Sequence, residues 1–197
     1  MSELTPSTDE ATGTLMPTPS QTVGPFFGYA LPYADGPRVR APWQPDAIRL
    51  HGVVTDGEGA AVPDAIIELW GADTDGKPST ARGSLVRNDH EFTGFGRAAV
   101  DLAGHFSFDT VKPGSAADSA PYVVLVIFTR GLLHHLYTRA YFADETLANA
   151  SDPLLGRIDP SRRDTLLAIR DGDGSYRFDI RLQGERETVF LDFGTEG

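Results

Sequence analysis

Tyr122-Val123-Val124-Leu125-Val126-Ile127-Phe128 is the most apolar run in the 197-residue chain. Seven residues are too few for a buried helix, and four of them are β-branched, so the run reads as a strand buried on both faces. Around it the sequence alternates apolar and polar with turn residues between. Ile48 to Val54 alternates into Asp56-Gly57-Glu58-Gly59, and Ala65 to Trp70 leads to Asp73-Thr74-Asp75-Gly76. Phe95 to Val100 turns through Asp101-Leu102-Ala103-Gly104 into His105 to Thr110. His134 to Phe142, Tyr176 to Leu182 and Thr188 to Phe193 alternate again. Helical signal is confined to Ala143–Ala150, and Asp164–Arg170 fits helix or strand. Short strands with regular turns predict an all-β fold: an antiparallel β-sandwich core with little helix.

Three regions are expected. Residues 1–15 read as a flexible tail. Residues 16–46 read as an extended arm, and residues 47–197 form the β-sandwich domain. Eight of the 14 prolines fall between Pro6 and Pro45, where apolar periodicity is absent. Phe26, Phe27, Tyr29, Leu31 and Tyr33 sit among them. Proline limits the entropy lost on ordering and aromatics supply area to bury, so the arm should lie along a surface, its own or a partner's. A solvated linker is the alternative reading, but linkers rarely hold so many aromatics. Asp73 to Thr93 lacks periodicity and reads as a long loop of functional interest.

Composition narrows the chemistry. Net charge is −11, from 17 Lys+Arg and 28 Asp+Glu, which repels phosphate backbones and argues against nucleic acid. No cysteine means no disulfide, iron–sulfur cluster or thiol catalysis from this chain. No apolar run reaches 18 residues, so no membrane helix is expected. The first residues carry neither a basic nor an apolar leader segment, which points to the cytoplasm. None of the five histidines forms the His-x-His that places two ligands on one strand face, and His134-His135 should point to opposite faces. No metal site is expected on this chain. Nucleophile elbows and phosphate-binding glycine loops are absent. Asp171-Gly172-Asp173-Gly174 reads as a hairpin turn rather than a calcium loop. Arg130, which follows the apolar run and stands directly before Gly131, is a cation at a strand mouth. It either meets an anion or an acidic partner group, or caps the strand in solvent.

Several stretches in order resemble the intradiol ring-cleavage dioxygenases. They are Thr18-Pro-Ser-Gln-Thr-Val-Gly-Pro-Phe26, Ile66-Ile-Glu-Leu-Trp-Gly-Ala-Asp73, Phe95-Gly-Arg97, Thr110-Val-Lys-Pro-Gly114, Phe128-Thr-Arg-Gly131, Tyr137-Thr-Arg-Ala-Tyr-Phe142 and Tyr176 to Phe193. The resemblance implies a β-sandwich around a non-haem Fe(III) held by two tyrosines and two histidines. It also implies opening of a catecholic ring between its hydroxylated carbons by O2. This chain departs from that ligand pattern. Tyr122 and Val124 stand where the iron-binding members have His-x-His. Ser115-Ala116 follows Lys112-Pro113-Gly114 where those members have tyrosine, and the 73–93 loop contains none. The resemblance is therefore to the non-iron-binding subunit of a two-subunit enzyme. Fe(III) is then expected on a homologous iron-bearing β subunit, with heterodimers assembling further. The expected substrate is protocatechuate, a small aromatic cleaved with O2 to 3-carboxy-cis,cis-muconate. This chain would contribute no catalytic residue of its own, only the pocket rim: Thr22, Gly24, Pro25 and Arg130. A non-catalytic β-sandwich binding or scaffold module is the alternative.

Overall fold

The computed structural model describes residues 18–81 and 86–193. The expected tail, 1–15, lies outside the described residues. Strands dominate and helix is sparse. The strands are β1 (Ala47–Thr55), β2 (Ile66–Gly71), β3 (Phe95–Ala99), β4 (His105–Val111), β5 (Tyr122–Phe128), β6 (Leu136–Phe142), β7 (Leu167–Gly172), β8 (Ser175–Arg177) and β9 (Ile180–Arg181). The helices are single turns or little more: α1 (Phe27–Ala30), α2 (Thr146–Ser151) and α3 (Pro153–Arg157), with a 3-10 turn at Arg163–Leu166.

The expected antiparallel sandwich is corrected to a mixed, nearly closed barrel-like sheet. The strands follow one path, β3-β2-β5-β6-β7-β8-β1-β4, with β9 added on β1. The two ends of the path approach each other: a Cβ on Gly96 of β3 would lie 3.2 Å from the Phe108 ring of β4. Five pairings are antiparallel, but β6–β7, β1–β8 and β1–β9 are parallel. The cause lies in the connections. Between β6 and β7 the chain runs through both short helices and the 3-10 turn, long enough to return to the same end and start again. Alternation within a strand carries no information about that crossover.

The core lies inside this wall. Leu50, Leu69, Phe108, Leu125, Ile127 and Phe142 are fully buried there. A second cluster, with Tyr141, Leu155 and Leu166, packs beneath α3. β5 differs from its expectation in one respect. Val123, Leu125 and Ile127 are fully enclosed, whereas on its other face only Val126 is buried and Tyr122, Val124 and Phe128 are half-buried. That outer face is apolar because other segments partly cover it, not because it belongs to the core.

Two further expectations change. The 176–182 strand breaks into β8 and β9, with Asp179 turned aside to accept the Val53 N–H at 3.1 Å. Residues 188–193 form no strand, and their backbone pairs with β6 at an isolated bridge, Tyr137 to Leu191. Asp171–Gly174 is the predicted hairpin turn, joining β7 and β8 with a register shift and a left-handed Gly174 at φ 64°.

The arm is partly built into the domain. Val39 and Ala41 are buried, and the Val39 and Arg40 N–H groups donate to the Asp109 carbonyl at 2.8 and 2.9 Å. Gly36 abuts β3 so closely that a Cβ would sit 2.6 Å from the Arg97 carbonyl oxygen. Further toward the N-terminus contacts thin out, and Phe26 and Tyr29 are 76% and 86% exposed.

Candidate functional site

Three segments converge at the mouth of β5. The first is the turn after that strand. Thr129 is buried, and Arg130 follows on the surface. Gly131 adopts φ 92°, a left-handed conformation that a side chain would strain. The second is the segment entering β2. There Asp64 accepts the Thr129 hydroxyl on Oδ1 at 2.9 Å and the Arg130 Nε–H on Oδ2. The third is the arm. The Thr22 hydroxyl accepts the Gly131 N–H at 2.8 Å. A hollow of about 160 Å³ opens between arm and turn, bounded by Gln21, Val23, Phe128, Leu132 and His135.

Of the four rim residues expected from sequence, the structure brings two regions together: Thr22 binds the backbone directly beside Arg130. Gly24 and Pro25 lie farther along the arm, exposed, at the entry to α1, where the Gly24 carbonyl accepts the Phe27 N–H at 3.2 Å. The sequence reading missed Asp64. No local pattern marks it, since its partner stands 66 positions away. His134 and His135 precede β6 rather than lie within it. The His135 ring contacts the Tyr137 hydroxyl at 2.6 Å and packs near Phe128.

A second, larger concavity of about 420 Å³ faces out from the sheet. Three of the positions where the resemblance would put iron ligands, Tyr122, Val124 and Ala116, border it. Tyr122 and Val124 from β5, Gly114 and Ala116 from the segment before it, and Pro78 and Ser79 from the long loop all line the cavity. Trp70 closes one side. A ferric ion needs several hard oxygen or imidazole donors at one point. This lining offers one phenol, an isopropyl and a methyl group. Ser79 is already committed, donating to the Phe92 carbonyl at 3.0 Å. Among the described residues no three His, Cys, Asp or Glu side chains gather at one point. The residues here do not fit iron.

Tyr122 is held in place from behind. The Arg139 guanidinium lies 3.9 Å from its ring centroid. Arg139 also donates to the Tyr141 hydroxyl at 3.2 Å, and that hydroxyl donates to Asp152 at the same distance. Burial pushes the Tyr141 phenol up to about 12, with Arg139 opposing, so it stays a neutral donor. On the far side of the sheet Lys112 bonds Asp144 and Glu145 at 3.0 and 2.5 Å. Burial works against the charge of both Lys112 and Asp144. Hydrogen bonds to Glu145 and Asp144 outweigh it and raise the Lys112 pKa, while those from Lys112 and Tyr176 lower that of Asp144.

The architecture is that of the intradiol ring-cleavage dioxygenases. A member from Tetranychus urticae superposes with a TM-score of 0.59 at 14% identity, covering 85% of this chain and 94% of its own. The Dioxygenase family model matches residues 40–123. Two relatives match nearly end to end. The protocatechuate 3,4-dioxygenase alpha chain of Burkholderia cepacia is 42% identical over 91% of this chain and 98% of its own. That of Pseudomonas putida is 44% identical over 89% and 96%. This chain belongs to the protocatechuate 3,4-dioxygenase alpha-chain family. The beta chain of Burkholderia cepacia is also similar, at 28% identity over 73% of this chain and 67% of its own. Among the described residues no helix is long and apolar enough to cross a membrane.

Proposed function

We propose that this chain is the non-iron-binding subunit of a protocatechuate 3,4-dioxygenase. It works in the cytoplasm beside a homologous, iron-bearing beta chain. The observation that supports the reading is the lining of the 420 Å³ concavity: Tyr122, Val124 and Ala116, three positions where the resemblance would put iron ligands, border it together with part of the long loop, and these side chains do not suit iron. The chain keeps the architecture and lacks the donors, so the metal chemistry falls to a partner. The ferric ion of that partner would bind the catecholate and make it reactive toward O2.

What this chain supplies is recognition at the rim. Protocatechuate carries a carboxylate that catechol lacks. A guanidinium beside a partly dehydrated pocket stabilises that group by a charge-assisted, two-point hydrogen bond. The Thr22–Gly131 bond, which ties the arm to the turn that carries Arg130, supports this role. Thr22, Gly24 and Pro25 would then border the same pocket. The arm, residues 16–46, would lie against the partner, with heterodimers assembling further.

Co-expression with the beta chain tests the reading. The heteromer should convert protocatechuate to 3-carboxy-cis,cis-muconate and show the visible tyrosinate-to-iron charge-transfer band. This chain purified alone should show neither, and a stoichiometric ferric band on it would overturn the assignment. In the intact heteromer, Arg130→Ala should raise KM for protocatechuate roughly ten- to hundred-fold, as a charged hydrogen bond is worth about 1.5–3 kcal/mol. The KM for catechol should change far less. Lys should restore part of the loss, because it keeps the charge without the planar fork. Equal losses on both substrates would assign Arg130 to holding the subunits together.

A further inference from the structure

We infer that Asp64 is the positioning residue for Arg130, fixing the guanidinium so that its two terminal amino groups face the substrate carboxylate. The inference rests on the reading of Arg130 just given. Arg130 has a 59% exposed side chain and follows the end of β5, beside a glycine with nothing within 4 Å of where a Cβ would stand. Left alone, so long a side chain samples many rotamers, and ordering it on binding costs affinity. Asp64 removes that freedom. It takes Nε, on the lateral edge of the planar group, and leaves the end-on Nη1/Nη2 edge free. Among the described residues Nη1 and Nη2 have no hydrogen-bond partner, so the pair that matches a carboxylate stays open.

Asp64 is itself held from three directions. The Thr129 hydroxyl, on a residue only 4% exposed, donates to its other oxygen at 2.9 Å. On one side of it in sequence, the Val62 N–H donates to the Val54 carbonyl of β1 at 3.0 Å. On the other, the Ala65 carbonyl accepts the Val100 N–H at 3.1 Å. The carboxylate therefore stands on backbone fixed to two parts of the sheet. Because Arg130 finds its counter-charge within its own chain, it does not need an acidic partner residue across the interface.

Removing the Asp64 charge alone and removing the hydrogen bond have opposite consequences. An asparagine still accepts from Nε, so orientation survives, and the negative charge near an anionic substrate is gone. An alanine loses the orientation. The experiment measures kcat/KM for protocatechuate relative to catechol in the assembled heteromer. The variants are Asp64→Ala, Asp64→Asn, Arg130→Ala and the Asp64→Ala/Arg130→Ala double, with assembly checked by sedimentation. Asp64→Ala should lower the protocatechuate-to-catechol ratio roughly ten-fold. Asp64→Asn should leave it within about two-fold of the parent, or raise it. The double variant should be no worse than Arg130→Ala alone, since Asp64 acts only through that arginine. Thr129→Val, which frees Asp64 without truncating it, should lower the ratio by less. It keeps the test open if the alanine variant fails to assemble. A ratio that rises in both Asp64 variants would make Asp64 a competitor for Arg130 and overturn the inference. So would equal losses on both substrates, or a further loss in the double variant. If Arg130→Ala lowers the ratio and neither Asp64→Ala nor Thr129→Val does, the positioning role alone fails. If Arg130→Ala leaves the ratio unchanged, the reading of Arg130 fails and the role of Asp64 with it.

Discussion

Asp152 ties more of the fold together than any other single side chain described above. It is 2% exposed and accepts the Leu154 and Leu155 N–H groups at the start of α3, the Ala120 N–H before β5, and the Tyr141 hydroxyl of β6. Alanine at 152 would leave these donors without their acceptor in a dry site, each a cost of about 1–3 kcal/mol that water entry only partly relieves. We expect a net loss of about 3 kcal/mol by urea unfolding of the isolated chain, or a Tm fall of roughly 6–12 °C for a domain of this size. A loss below about 1 kcal/mol would mean that water replaces the carboxylate. The Asp152-Pro153 pair is a recognisable helix start, an acceptor followed by proline at the first helical position. The pair is local, yet it went unread, and helix was expected only at Ala143–Ala150. Asp64 had no such signal, since nothing near it distinguishes it from any other loop acid. Arg130 could be singled out because it closely follows the most apolar run, a local fact. Its counter-ion is a long-range fact that only the folded chain displays.

The elements divide along the same line. Strand positions follow from alternation, and the expected bounds of β1, β3, β4 and β5 fall within a residue or so of those found. Partner and direction do not follow, because a strand reads alike whether its neighbour runs parallel or antiparallel. Residues 188–193 show the limit from the other side. Their alternation is real, but the Thr138 hydroxyl donates to the Val189 carbonyl at 2.9 Å and the Thr188 hydroxyl accepts the Arg181 N–H at 2.9 Å. Side chains meet backbone groups that a regular ladder would have used. In β1 the sequence hid a constraint in plain view. Gly52 lies where the chain passes from β8 to β9, and a Cβ there would stand 1.9 Å from the Phe178 carbonyl oxygen. Phe178 N–H also donates to the His51 carbonyl at 2.7 Å, so the two backbones cannot separate cheaply. Gly52→Ala should cost about 3 kcal/mol, at the upper end for overpacking. Gly59→Ala, in open space at φ 85°, should cost only the left-handed backbone strain, about 1–2 kcal/mol. Urea midpoints of the two variants compare them directly, and equal values would contradict the close approach.

At the scale of the molecule, the arm changes character along its length. Its C-terminal half belongs to the domain, with Val39 and Ala41 buried. Its N-terminal half presents Phe26 and Tyr29 to water and touches the rest chiefly through Thr22, Leu31 and Tyr33. The Arg97 guanidinium donates to the Leu31 carbonyl at 2.9 Å and lies 5.8 Å from the Tyr33 ring centroid. Exposed aromatics on a tethered segment are the usual mark of a surface completed by another chain. Deleting residues 1–30 removes Phe26, Phe27 and Tyr29 together with the Thr22–Gly131 bond, and leaves Val39 and Ala41 in place. The isolated chain should therefore keep its unfolding free energy to within about 1 kcal/mol, the size of the hydrogen bond lost. Association with the beta chain should suffer far more. Burying one large aromatic is worth about 2 kcal/mol, so losing one or two weakens pairing by about 2–4 kcal/mol, roughly 30- to 1000-fold in Kd. Deleting only residues 1–15 should leave pairing unchanged, because that stretch contains no aromatic residue to bury. Sedimentation velocity on the co-expressed pair, with each truncation at matched concentration, separates the cases. A longer deletion that still sediments as the full assembly would show that the aromatics face solvent there too, and the arm would then serve its own domain alone.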